Sequence, residues 1–89
     1  VTGFADLTDG EVAELQFRAY SWAMRLYRSA DDLRGRASAL PSRLTPEWDG
    51  LMSRASAAMS AAREQDGLYY ELRDALRGRS DARKENAGA

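Results

Sequence analysis

The sequence predicts an all-α fold, an antiparallel helical hairpin, and three observations predict it. A capping box, Thr8-Asp9-Gly10-Glu11, opens a long run of apolar residues spaced three and four apart, which Pro41 ends. A second start signal, Thr45-Pro46-Glu47, opens another such run. Only the five residues Pro41 to Thr45 join the two runs, so the second helix is expected to fold back on the first.

The first helix is expected over about residues 9–39. The Thr8 hydroxyl can accept an orphan backbone N–H, and the Glu11 carboxylate can reach back to the cap. Leu7 before the cap and Val12 beyond it suit a hydrophobic staple, while Asp9, Glu11 and Glu14 favour the positive end of the macrodipole. Val12, Leu15, Ala19, Trp22, Leu26, Ala30, Leu33, Ala37 and Leu40 then form one continuous stripe. The helix would be about 45 Å long.

The second helix is expected over about residues 46–77. Leu51, Ala55, Ala58, Ala62, Gln65, Tyr69, Leu72 and Leu76 alternate in steps of four and three, and Trp48, Met52 and Met59 widen that face. Such a stripe drifts by about 20° per heptad on a straight helix, which a left-handed supercoil absorbs. The alanines suit a close approach of the helices. Trp22, Leu26, Trp48, Met52 and Met59 are assigned to the seam within the hairpin. Asp66-Gly67 is the weak point, because glycine costs about 1 kcal/mol in a helix interior and Asp-Gly is a turn signal. A continuous or kinked helix, and a break into a three-helix arrangement, both stay open. Gly78 reads as a C-terminal cap, which makes residues 1–78 a single helical domain and residues 79–89 a disordered tail.

One partner helix leaves part of this pattern uncovered. Ala13, Phe17, Tyr20, Met24 and Tyr27 form a second apolar set, centred about 140° around the first helix from the main stripe. Aromatic residues and methionine are enriched at protein–protein interfaces, so Phe17, Tyr20, Met24 and Tyr27 are the candidate partner interface. The competing explanation is a third helix, Leu68 to Leu76, covering the set within a monomer.

Composition narrows the functions. A chain of 89 residues has room for one modest core, and chains this small are commonly supported by disulfides, a metal or association. Cysteine and histidine are both absent, which removes disulfides, the strongest metal ligands, thiolate nucleophiles and imidazole bases. Association remains, and neither a cofactor nor an enzymatic activity is expected. An all-helical enzyme would need arginines converging on a buried anion site, yet Arg18, Arg25 and Arg28 fall on the polar face of the first helix. A formal net charge of −1, with acids and bases interspersed, argues against nucleic acid as a partner. The local run Arg73, Arg77, Arg79, Arg83, Lys84 reads instead as a solvated helix end. No apolar run approaches the roughly 18 residues of a membrane span, and no cleavable signal pattern opens the chain, so a cytoplasmic protein is expected. Arginine outnumbers lysine and alanine is abundant, as in a GC-rich genome. Val1 is what a GTG start codon read literally gives, as in an actinobacterium or its phage.

Trp48-Asp49-Gly50, at the bend and near mid-chain with Leu44 four residues before the tryptophan, resembles the WxG motif of the small helical-hairpin substrates of type VII secretion. Tyr70-Glu71-Leu72-Arg73-Asp74 is similar to that family's C-terminal YxxxD/E sequence, part of its export signal. The resemblance implies pairing of two hairpins into a four-helix bundle and export without a cleavable signal peptide. It marks Trp48, Gly50, Tyr70 and Asp74 as motif residues. The expected function is therefore a non-enzymatic interaction module, acting as a homodimer or on a protein partner. The alternative is a small phage or mobile-element protein that binds and modulates a host protein.

Overall fold

In a computed structural model, which describes residues 4–88 and their side chains as far as residue 85, two helices account for nearly all of the chain. Helix α1 spans Asp9–Ser38 and α2 spans Pro46–Gly88, packed antiparallel as a hairpin with extents of 68 × 22 × 16 Å.

Local chemistry sets three of the four helix ends. The Thr8 side chain accepts from the Glu11 N–H at 3.1 Å, and the Glu11 carboxylate accepts from the Thr8 N–H at 3.0 Å, completing the capping box. At the other end of α1 the Ala39 N–H is shared between the carbonyls of Gly35 and Arg36, a tightened last turn before Pro41. Thr45 starts α2: its hydroxyl accepts from the Trp48 N–H at 3.1 Å, and its carbonyl accepts from the Asp49 N–H.

The fourth end departs from expectation. Among the described residues none takes a positive φ, so Gly78 does not cap α2, and the helix runs on to Gly88 through the segment expected to be a tail. The cause is Arg79, which continues the four–three series after Leu76 and so faces α1. Its guanidinium donates to the carbonyl of Leu7 at 2.7 Å, to the carboxylate of Asp9 at 3.1 Å and to the carbonyl of Phe4. Arg83 adds an ion pair to the same carboxylate at 2.6 Å. These partners lie some seventy residues away in sequence, beyond the reach of any local pattern.

Gly67 does not break α2 either. A Cβ added there would meet nothing within 4 Å, so the glycine serves no close approach and the helix passes through it. Leu72, in the stretch that might have formed a third helix, is instead buried in the hairpin seam.

That seam is narrow. On α1 it comprises Val12, Ala19, Ala23, Ala30, Leu33 and Ala37, and on α2 Ala55, Ala62 and Leu72. Leu72 and Val12 are the largest side chains wholly withdrawn from solvent. Phe4, Leu7, Leu68, Tyr69 and Leu76 pack against the cluster of Val12, Ala19 and Leu72, closing the end of the hairpin away from the bend. Burying one valine or leucine contributes about 1.5–3 kcal/mol, and alanine much less, so this core is modest.

The stripe assigned to α1 needs one correction. Trp22 is 49% exposed and Leu15 36% exposed, while Ala23 is buried and Leu26, Trp48, Met52 and Met59 are half-buried. The residues facing α2 follow strict four–three alternation through Gln16, Ala19, Ala23 and Leu26, the phase a supercoil selects. An alanine fits between closely approaching helices where an indole does not, so Trp22 is turned to the flank.

Candidate functional site

Because α1 offers α2 the line Val12, Ala19, Ala23, the second apolar set is carried to one side of the seam. Phe17 is 69% exposed and Tyr20 47% exposed, whereas Met24 and Tyr27 lie nearer the helix contact and are half-buried. Ala13 is exposed beside them. Among the described residues no third helix covers the set.

Aromatic residues of α2 extend this surface across the helix contact. The rings of Tyr20 and Tyr69 lie 5.6 Å apart at 49°, and those of Tyr69 and Tyr70 lie 5.2 Å apart, edge to face. The Arg73 guanidinium sits over the Tyr70 ring at 4.8 Å. Phe17 and Tyr20, with Ala13, Gln16 and Tyr69, line a shallow groove. The result is a shelf of tyrosines with Phe17 projecting at its edge.

On the Leu15 and Trp22 flank of α1, those two residues border a second groove with Leu68 and Gln65 of α2, rimmed by Arg18 and Arg25, and Phe17 lines this groove as well. Sequence reasoning placed Leu15 and Trp22 in the core and so missed this flank. The uninterrupted four–three alternation through Ala23 was the signal that would have revealed it.

The motif residues fall in two places. Trp48 is half-buried in the first turn of α2, and with Met52 it lines a pocket beneath Leu40 and Pro41 at the bend. Gly50 is exposed, and a Cβ there would meet nothing within 4 Å. Tyr70 and Asp74 are both exposed farther along the helix, with Asp74 at 3.9 Å from Arg73. At 1.5 Å per residue, Trp48 and Tyr70 are about 33 Å apart, so they do not form one site. Tyr70 belongs instead to the aromatic shelf.

Charged side chains are engaged at the surface. Arg18 pairs with Glu14 at 2.7 Å, and Arg18, Arg25 and Arg28 are all exposed rather than gathered in a cavity. Among the described residues no polar or charged side chain is buried, and no group of three or more acidic residues is placed to hold a metal. The Arg79 hydrogen bond, helped by Arg83, holds the Asp9 carboxyl below its ordinary range despite some desolvation. The Thr8 backbone and hydroxyl do the same for Glu11. Among the described residues no helix is long and apolar enough to cross a membrane. No protein-family model matches the chain, and no curated protein or solved structure matches it either.

Proposed function

We propose that this chain is a non-enzymatic protein–protein interaction module, a helical hairpin that self-associates or docks on a partner protein through Phe17, Tyr20, Met24 and Tyr27. The observation that carries the reading is the exposure of Phe17 at 69% and Tyr20 at 47%, beside Tyr70 at 47%, on a molecule whose seam is mostly alanine. Several large apolar side chains lie outside, while six of the nine buried side chains among the described residues are alanine. The surface area supports the same reading. The chain exposes 6547 Å² at 9.9 kDa, where a compact monomer of that mass exposes about 5,200 Å². The surplus is of the order that one partner contributes to a standard interface, about 800 Å² or more.

A type VII secretion-like substrate is the specific form suggested by Trp48-Asp49-Gly50 and by Tyr70 with Asp74. Gly50 lies exposed in the first turns of α2, where a partner would have access to the helix backbone.

The test is a double substitution, Phe17→Ser with Tyr20→Ser, read by light scattering across a concentration series and by far-ultraviolet circular dichroism. The expected outcome is weaker association, about tenfold or more, since each lost aromatic anchor is worth about 1 kcal/mol or more. Helicity should be largely kept. Loss of helicity in an isolated monomer would make the stripe part of the fold, and the interface would be abandoned.

A further inference from the structure

We propose that the N-terminal strap, residues 4–8, and the end of α2 beyond Gly78 form a single latch, held by Arg79, that closes and opens as one unit. Two independent sets of contacts meet there. One is apolar: Phe4 and Leu7 of the strap pack onto the cluster of Val12, Ala19 and Leu72. The other is polar: the Arg79 guanidinium donates to two strap carbonyls, those of Phe4 and Leu7, and to the Asp9 carboxylate. Arg83 reaches the remaining oxygen of Asp9.

Each segment has few contacts of its own. The strap is a turn, closed by the Leu7 N–H on the Phe4 carbonyl at 3.2 Å, with no helix or sheet to support it. The stretch Arg79 to Gly88 is polar and follows a glycine, so as the end of a long helix it has little apolar packing to keep it from fraying. From residue 77 to residue 85 no side chain is buried; Arg79 and Ser80 are the two that are partly covered. Arg79 joins the two segments, while the strap also rests its apolar side chains on the end of the seam. Opening the latch would uncover Val12 and Leu72 at the end of the seam and release the last helical turns together.

Hydrogen–deuterium exchange on the full chain tests this, comparing the wild type with Arg79→Gln and, separately, Leu7→Ser. Arg79→Gln is expected to speed exchange about tenfold or more in residues 4–8 and 79–88 together, leaving the centres of α1 and α2 protected. Leu7→Ser leaves Arg79 and its acceptors in place but removes an apolar anchor of the strap on the seam, and is expected to speed exchange in residues 79–88 as well, because the two segments open as one. Arg79→Lys keeps the charge but cannot span three acceptors, and should loosen both segments nearly as much as Gln. The proposal is overturned if residues 79–88 exchange without protection in the wild type. It is overturned equally if either substitution loosens its own segment alone, or if all regions lose protection in parallel.

Discussion

Arg79 and Asp9 show how one pair of side chains can override a local signal. The guanidinium satisfies two carbonyls and a carboxylate, and its favourable placement keeps Asp9 ionised to lower pH than an ordinary aspartate. Glu11, bound to the Thr8 N–H, is shifted the same way. A carboxyl with a depressed folded-state pKa contributes stability above its unfolded value and loses it as pH falls through the folded one. The thermal midpoint is therefore expected to be level from neutral pH down to about pH 5 and to fall below about pH 4. Asp9→Asn should be less stable at neutral pH and lose less on acidification, with Glu11 supplying the remainder. Thermal melts followed by circular dichroism across that range check it. Parallel curves for the two proteins would remove Asp9 from the account.

Between helices, what the chain announces locally is also what folds as announced. The capping box at Thr8, the stop at Pro41 and the restart at Thr45 each lie within a few residues of the atoms they control, so both starts and the bend were legible. Which side of α1 faces α2 was less legible. Trp22 and Ala23 are neighbours 100° apart, and supercoiling together with the room between the helices chose the smaller. The end of α2 was not legible, because it depends on Phe4, Leu7 and Asp9. The Phe17–Tyr27 set was visible as a second period, whereas the Leu15–Trp22 flank was hidden inside the first. Continuity through Gly67 gives a direct prediction at this scale. Gly67→Ala adds a side chain into open space within a helix, so it should stabilise the protein by about 1 kcal/mol. Denaturant titration reads the change, and a loss of stability would mean that the chain bends there.

The whole molecule is a rod rather than a ball. Its radius of gyration is 19.2 Å, against about 12 Å for a compact domain of this length. A rod one helix pair thick cannot shield its aromatic residues on both flanks, which is why stability and association are expected to be linked. If association completes the fold, the thermal midpoint should rise with protein concentration. Melts over a hundredfold range of concentration test this, and a constant midpoint would identify a self-sufficient monomer. The closure of the strap on Arg79 has a mechanical consequence. It brings residues 4–8 beside the last turns of α2, while the bend, with Leu44 95% exposed, lies at the opposite pole. Tension applied through the two ends would meet the latch first and then peel the helices apart turn by turn, as a zipper opens. Tension between the bend and either end would act along a helix axis, against all of that helix's backbone hydrogen bonds. The same hairpin is therefore compliant in one direction of pull and stiff in the other.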